Sequence, residues 1–372
     1  MESMVNANIL ELMPYQPGKP LEEVQREFGL KKVVKLASNE NPFPVPPHVA
    51  EAIEKEIPSL RLYPDTDSYF LRKRIAECLG VGMENVLMGS GSVELIKMIV
   101  RVFLRPGEKV LTAKSTFPMF KAAAVECGGR QAVIEVDMDE GYGYDLDRMY
   151  EGLASDVKIL FIANPNNPTG TMLSKEKLLD FINSVPNDKI VVLDNAYQEY
   201  VLESETHVDG IDLALNRKNV IVLRTFSKIY GLAGLRIGYG IANGEAISYL
   251  SRLRAPFNVT RVGQQAALAS LQNDDFKMRS AEVNNRNKEV LFNKLRDLGM
   301  NPVPSHANFI LFFPGKDINE VNERLLREGV VIRPLKAFGV PDGMRVTVGF
   351  EEDNDFFIEK LRRVMENWEK PE

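Results

Sequence analysis

Three observations predict an α/β fold, in which a mostly parallel sheet is wrapped by helices and followed by a smaller α+β domain. Short apolar runs alternate with helical patterns from about residue 86 onward. These runs are continuous and rich in β-branched residues, as expected for strands buried on both faces. After residue 244 the pattern changes to long helical segments and then to short strands. The 372 residues, 44% of them hydrophobic, are enough for a substantial core and two domains.

The first part of the chain has a βαβ rhythm. The predicted strands are KVLTA (109–113), AVIEV (132–136), VKILFIA (157–163), KIVVLD (189–194), NVIVLR (219–224) and RIGYGIA (236–242). Helical spacing of apolar residues follows Gly91, and SKEKLLDFINSV indicates another helix.

The later part of the chain predicts a different arrangement. Helices are expected at 47–57, over much of 244–299, and around 317–328 and 352–368, with short strands in ANFILFF, VVIRP and MRVTVGF. We therefore expect an N-terminal arm (1–45), a large domain (46–284) and a small C-terminal domain (285–372) to which the N-terminal segment contributes.

Composition makes several classes of protein poor candidates. The net charge of −6 and the absence of a basic block argue against nucleic acid as a partner. Cys78 and Cys127 form no disulfide framework, and together with three separated histidines they form no metal-binding pattern. The N-terminus lacks the pattern of a signal peptide, and no apolar run reaches the length of a membrane span. We expect a cytoplasmic protein without a bound metal.

Four motifs fall at the ends of predicted strands, where open α/β sheets bind ligands. GSGSVE (89–94) opens a helix and indicates a phosphate site, although such a string is often only a tight turn. NPNNPTG (164–170) offers the amide of Asn167, although most such strings are simple loops.

The other two motifs carry charge. In VVLDNAY, Asp194 follows four apolar residues, so its carboxylate needs a partner unless it is merely a helix cap. In RTFSKIYGLAGLR, Lys228 lies among hydroxyls, apolar residues and glycines. A lysine in such surroundings loses affinity for its proton and becomes a nucleophile, although most lysines are simply solvated.

Taken together, these groups match pyridoxal 5′-phosphate. Its aldehyde suits Lys228, its ring nitrogen suits Asp194, and its phenolic oxygen suits Asn167 and Tyr197. Phe117 is placed to stack on the ring. The predicted phosphate cradle consists of Gly91, Ser92, Thr225, Ser227 and Arg236.

With these motifs, the sequence resembles the fold-type I pyridoxal-phosphate aminotransferases and, more narrowly, the histidinol-phosphate aminotransferase family. The resemblance covers almost the whole chain in order. It is carried by PYQPGKP, LASNENP, RLYPD, GSGSVELI, NPNNPTG, DNAYQEY, RTFSKIYGLAGLRIGY, ANFILF and MRVTVG. The resemblance implies a seven-stranded, mostly parallel sheet in the large domain.

The resemblance also implies residue roles. Lys228 would bind the cofactor covalently and move the proton between Cα and C4′, while Asp194 would pair with the pyridinium nitrogen. The cofactor phosphate would be held by the backbone N–H groups of Ser92 and Val93, and by Thr225, Ser227 and Arg236. Tyr63 would reach the cofactor phosphate of the other subunit of a homodimer.

Substrate contacts are implied in the same way. Arg345 would bind the carboxylate of glutamate or 2-oxoglutarate, with Asn39 nearby. Tyr15 and Arg333 would bind the phosphate of the second substrate, with Arg345 able to serve either anion.

The implied reaction is transamination between L-histidinol phosphate and 2-oxoglutarate in histidine biosynthesis. Three alternatives stay open at this point: an aromatic amino acid aminotransferase, a decarboxylase of the phosphothreonine type, and a non-catalytic sensor of the cofactor.

Overall fold

The computed structural model describes residues 1–14, 18–201 and 207–368. Its helices are α1 Ala7–Leu10, α2 Leu21–Phe28, α3 Pro47–Glu56, α4 Tyr69–Leu79, α5 Ser92–Phe103, α6 Pro118–Gly128, α7 Leu146–Glu151, α8 Lys175–Ser184, α9 Ile211–Asn216, α10 Gly244–Ser251, α11 Arg261–Ser270, α12 Asp275–Asp297, α13 Ile318–Arg327 and α14 Glu351–Glu366. Its strands are β1 Val34–Lys35, β2 Val86–Gly89, β3 Lys109–Ala113, β4 Val133–Val136, β5 Val157–Ala163, β6 Ile190–Asp194, β7 Val220–Thr225, β8 Gly238–Ala242, β9 Phe309–Phe312, β10 Val330–Val331, β11 Arg333–Pro334 and β12 Met344–Thr347.

The large sheet has seven strands in the order β2-β8-β7-β6-β5-β3-β4. Strands β3 to β7 pair in parallel, whereas β8 is antiparallel to both of its neighbours, β2 and β7. The twelve residues between β7 and β8 contain no α-helix, whereas the crossover between parallel strands usually does. The predicted mostly parallel sheet is confirmed.

The core lies on both faces of this sheet. Along β6, Val191 and Leu193 belong to one buried apolar cluster, and Val192 belongs to the other. This alternation follows from the two-residue period of a strand, and helices cover both sides. It explains why the strands appear in the sequence as unbroken apolar runs.

The C-terminal part contains an antiparallel sheet in the order β11-β12-β9. Helices α12, α13 and α14 contribute to its core. The N-terminal segment joins this part, because β1 pairs with β10 through Val34 and Val330. Helix α12 runs across residue 284, and the division into arm, large domain and small domain stays a prediction.

The fold brings three motifs to one edge of the large sheet. Strands β5, β6 and β7 run side by side in parallel, so the residues that follow them lie together. These residues are the loop from Asn164, the carboxylate of Asp194 and the turn from Thr225. Across the described ranges, no helix is long and apolar enough to cross a membrane.

Candidate active site

A cavity of about 170 Å³ lies at this edge of the sheet. The predicted residues that line it are Asn39, Ser92, Val93, Phe117, Asn167, Asp194, Tyr197, Thr225, Ser227, Lys228, Arg236 and Arg345. Their positions in the chain are far apart, so only the folded sheet brings them together.

Lys228 is partly buried in the turn that follows β7. Its Nζ donates to the carbonyl oxygens of Ser38 and Asn39 at 3.2 and 3.3 Å. It also lies 5.5 Å from the centre of the Tyr197 ring. Burial lowers the pKa of Lys228 to about 7, and the positive charge of Arg345 adds to this effect. An appreciable fraction of this amine is therefore neutral and nucleophilic near pH 7.

Asp194 is the last residue of β6 and is buried, with 4% of its surface exposed. Burial raises the pKa of Asp194 to about 6, while a hydrogen bond from the Ala196 N–H at 3.1 Å and the charge of Lys228 oppose the rise. A buried carboxylate of this kind favours a cationic partner. The protonated ring nitrogen of a bound pyridine would supply that partner.

The amide of Asn167 is oriented by Arg345. The Nη1 group of Arg345 donates to Asn167 Oδ1. The amide nitrogen of Asn167, Nδ2, can therefore donate to a ligand. The other Arg345 terminal nitrogen donates to the Ala37 carbonyl at 2.9 Å. The Arg345 guanidinium also lies over the ring of Phe338, at 5.5 Å from its centre.

Asn39 lies beside these groups in a left-handed conformation, with φ 54°. Its Nδ2 donates to the Tyr197 hydroxyl at 2.9 Å, and its backbone N–H donates to Thr347 Oγ1 at 2.9 Å. Burial raises the pKa of Tyr197 to about 12, so this hydroxyl stays protonated at neutral pH.

A second group of residues at the cavity forms an anion cradle. Gly91, with φ 75°, precedes α5, and the backbone N–H groups of its first residues, Ser92 and Val93, have no partner within the helix. A Cβ at Gly91 would lie 2.7 Å from Arg236 Nη2, so the missing side chain makes room for the guanidinium. Arg236 Nη1 donates to Ser227 Oγ at 3.3 Å.

The cavity therefore has an anion cradle at one end, a buried carboxylate, an amide donor and a nucleophilic amine. Thr225 adds its hydroxyl beside Ser227, and its Oγ1 accepts from the Ser227 N–H at 3.0 Å. Phe117, the residue before α6, gives the cavity an aromatic wall. These groups fit the phosphate, ring nitrogen, phenolic oxygen, aldehyde and flat ring of pyridoxal 5′-phosphate.

Three predicted site residues stand apart from this lining. Arg333 is buried, and its backbone lies opposite that of Arg345 in the β11–β12 ladder, but it does not line the cavity. Tyr63 is 77% exposed and stacks on Phe257 at 4.5 Å between ring centres. Tyr15 lies outside the described residues.

Some residues at the site were not predicted. Ser38 accepts from Lys228 through its backbone carbonyl, for which a sequence offers no signal. Phe338 lines the cavity and lies under both Arg333 and Arg345. Glu94 holds the cradle turn, because its Oε2 accepts from the Ser90 N–H at 2.6 Å. An acidic residue in the first turn of α5 was the signal that could have identified Glu94.

Comparisons with known proteins show the family to which the chain belongs. Residues 31–361 match the family model described as aminotransferase class I and II. The histidinol-phosphate aminotransferase of Anaeromyxobacter sp. (strain Fw109-5) is 43% identical over 97% of this chain and 99% of its own. That of Moorella thermoacetica is 41% identical over 96% of this chain and 92% of its own.

A solved structure agrees with the fold. Histidinol-phosphate aminotransferase from Sinorhizobium meliloti, in complex with pyridoxal 5′-phosphate, superposes with a TM-score of 0.88. The two chains are 27% identical, and 98% of each is covered. The chain therefore belongs to the class I and II aminotransferase family, in which relatives that match it over nearly their full length are named histidinol-phosphate aminotransferases.

Proposed function

We propose that the chain transfers an amino group between L-histidinol phosphate and 2-oxoglutarate, with pyridoxal 5′-phosphate as cofactor. The observation that carries this proposal is the convergence of Lys228, Asp194 and the anion cradle in one cavity. The full-length relatives named for this activity support the choice of substrate. Their names do not favour an aromatic aminotransferase or a phosphothreonine decarboxylase.

The cofactor, when bound, supplies an aldehyde that reacts with amines and a protonated pyridine ring that takes up an electron pair. Lys228 supplies the amine that would hold the cofactor, and the same Nζ, once released, would take the proton from the substrate Cα and deliver it to C4′ of the cofactor. Asp194 keeps the ring nitrogen protonated. Asn167 and Tyr197 donate to the phenolic oxygen, and Phe117 holds the ring in place.

The cradle fixes the cofactor at the other end. The N–H groups of Ser92 and Val93, the hydroxyls of Thr225 and Ser227, and the guanidinium of Arg236 bind its phosphate.

Arg345 binds the substrate anion that enters the cavity. Its partners Asn167 and Ala37 leave the planar guanidinium buried and oriented at the cavity wall, which suits a bidentate contact with a carboxylate. Asn39 completes this side of the cavity. We assign Arg333 and Tyr15 to the phosphate of histidinol phosphate, with Arg345 serving either anion.

The active unit is a homodimer in this proposal, with Tyr63 reaching the cofactor phosphate of the partner subunit. The exposure of Tyr63 supports this assignment, as does the exposure of the apolar Leu60, Leu62 and Phe70 near it in the sequence. Several large apolar side chains exposed in one short segment are typical of protein interfaces. The two exposed free cysteines, Cys78 and Cys127, are consistent with a reducing cytoplasm.

Turnover of two substrates tests the proposed function. The holoenzyme is supplied with 2-oxoglutarate and either histidinol phosphate or phenylalanine, and glutamate formation is measured. We expect the larger kcat/KM with histidinol phosphate. A larger kcat/KM with phenylalanine would favour the aromatic aminotransferase, and release of carbon dioxide without glutamate would favour a decarboxylase.

A further inference from the structure

A buried hydrogen-bond network lies directly behind the cavity. Tyr144, between β4 and α7, has its hydroxyl 2.9 Å from Thr116 Oγ1. The same hydroxyl donates to Asn166 Oδ1 at 3.3 Å and accepts from the Ala163 N–H at 2.9 Å. None of Tyr144, Thr116 and Asn166 lines the cavity, so their effect on the site is indirect.

The network connects two segments that carry site residues. Thr116 immediately precedes Phe117, and Asn166 immediately precedes Asn167. Thr116 Oγ1 donates to Asn166 Oδ1 at 2.7 Å, and Asn166 Nδ2 donates to the Ser115 carbonyl at 2.9 Å. The aromatic wall and the amide donor are thus cross-linked through their neighbours.

Tyr144 is the part of the network that comes from outside the site. It is 5% exposed, while Thr116 and Asn166 are 4% and 0% exposed, so water does not replace a lost hydrogen bond readily. Burial raises the pKa of Tyr144 to about 12, so the hydroxyl acts as a neutral hydrogen-bonding group. Removing it leaves the Ala163 N–H without its acceptor and removes one of the two hydroxyl donors to Asn166 Oδ1.

We propose that Tyr144 is a positioning residue. It would hold the Asn167 amide at the phenolic oxygen of the cofactor and the Phe117 ring against the pyridine ring. This inference rests on the cofactor site of the proposed function. A donor to the phenolic oxygen stabilises the deprotonated form of the bound cofactor. A displaced Asn167 therefore weakens cofactor binding and raises the pH at which the bound cofactor changes its visible absorption.

Tyr144→Phe tests this, because it removes the hydroxyl and keeps the ring. We expect the dissociation constant for pyridoxal 5′-phosphate to rise about tenfold. We also expect the pH midpoint of the bound cofactor's absorption change to move upward. A folded Tyr144→Phe protein with an unchanged dissociation constant and midpoint would overturn the inference.

Thr171→Val is the matched control. Asn166 Nδ2 also donates to Thr169 Oγ1 at 2.9 Å, and Thr171 Oγ1 lies 2.7 Å from that hydroxyl and donates to the Tyr142 carbonyl at 2.9 Å. We expect this variant to lose thermal stability without a change in the midpoint. An equal midpoint shift in Thr171→Val would show that any damage to the network has this effect, and would also overturn the inference.

Thr116 provides a second test should Tyr144→Phe fail to fold. Thr116→Val removes the hydroxyl and should shift the pH midpoint upward. Thr116→Ser keeps the hydroxyl and should have the pH midpoint of the wild-type protein. Identical midpoints in the two variants would contradict the role assigned to Tyr144. Failure of the wild-type protein to bind the cofactor would instead contradict the proposed function, so the two failures are distinguishable.

Discussion

At the scale of single residues, Lys228 shows how surroundings change the chemistry of a side chain. Its Nζ donates to the carbonyl oxygens of Ser38 and Asn39, and no carboxylate is within hydrogen-bonding distance among the contacts described. Burial disfavours the charged form of the amine, and the nearby Arg345 adds to that effect. A weakly basic lysine is what a nucleophilic amine requires.

The pH dependence of cofactor capture tests this account of Lys228. Only the neutral amine attacks an aldehyde, so capture is slow below the pKa and reaches its full rate above it. With the pKa of Lys228 lowered to about 7, the capture rate of the cofactor-free protein should rise about tenfold per pH unit below pH 7 and level off above it.

Stopped-flow absorbance at several pH values measures this rate. Lys228→Ala is the control, since it should show no capture and no cofactor fixed by borohydride. If the capture rate instead keeps rising up to about pH 10.5, the ordinary pKa of a lysine, the lowered pKa assigned to Lys228 would be contradicted.

Residues at strand ends could be predicted from the sequence, whereas contacts made through the backbone could not. Asp194 and Asn167 follow continuous apolar runs, and the sheet places both in the cavity. Ser38 contributes only a carbonyl oxygen, which every residue has. Tyr144 lies in a connecting segment, where nothing in the sequence links it to Thr116 or Asn166.

At the scale of elements, the turn before α5 combines two requirements in one glycine. Gly91 has φ 75°, and a Cβ there would lie 2.7 Å from Arg236 Nη2. The positive φ is a requirement of the backbone alone. The absence of a Cβ is a requirement of the anion cradle, because it leaves room for Arg236. The two requirements can be separated by comparison with a glycine that has a positive φ but no neighbouring atom at the Cβ position.

Gly91→Ala and Gly29→Ala form that comparison. Gly29 follows α2 with φ 65° and has no atom within 4 Å of the Cβ position. Gly29→Ala should lose about 1 kcal/mol of unfolding free energy from backbone strain. Gly91→Ala should lose more, because the ψ of 167° at Gly91 lies in a region that is essentially restricted to glycine. Only Gly91→Ala should also bind pyridoxal 5′-phosphate more weakly, by about tenfold or more, because Arg236 must move.

Thermal unfolding of the cofactor-free proteins and titration with the cofactor measure the two effects. If Gly91→Ala binds the cofactor as tightly as Gly29→Ala does, Arg236 does not depend on the space beside Gly91.

Several element boundaries depend on pairing or conformation rather than on residue type. RIGYGIA is predicted as one strand from residue 236, but β8 begins at Gly238 because Arg236 adopts φ 55°. VVIRP is predicted as one strand, but its two halves have different partners. Val330 and Val331 pair with β1, whereas Arg333 pairs with β12. Apolar runs in a sequence indicate strands, but the neighbouring strands with which they pair decide where each strand ends.

At the scale of the whole molecule, the proposed site draws on two subunits. Tyr63 is 77% exposed and stacks on Phe257, whose own φ is 59°. Its hydroxyl is absent from the cavity lining of its own subunit. These observations support the proposal that Tyr63 reaches the cavity of the partner subunit.

Mixed dimers test this assignment. Tyr63→Ala and Lys228→Ala homodimers should both be weak or inactive. In a dimer with one subunit of each kind, the Tyr63→Ala subunit keeps its own Lys228 and receives Tyr63 from its partner. Activity should therefore reappear when the two variants are unfolded together and refolded as a mixture. A mixture no more active than the separate proteins would place Tyr63 in its own subunit's site or in none.

The comparisons confirm the aminotransferase family and the overall fold that the sequence predicts. Arg345 is an anion ligand that suits both a carboxylate and a phosphate, so residue chemistry alone does not separate the two substrates. The choice of histidinol phosphate is accordingly the central claim, and it rests on the relatives that are named for this activity.

Titration of the holoenzyme with L-histidinol phosphate, without an amino acceptor, tests that claim most directly. We expect the visible absorption of the lysine-bound cofactor to be replaced by that of the aminated cofactor. Later addition of 2-oxoglutarate should restore the original spectrum and form glutamate. An unchanged spectrum with histidinol phosphate, together with full conversion by phenylalanine, would contradict the account.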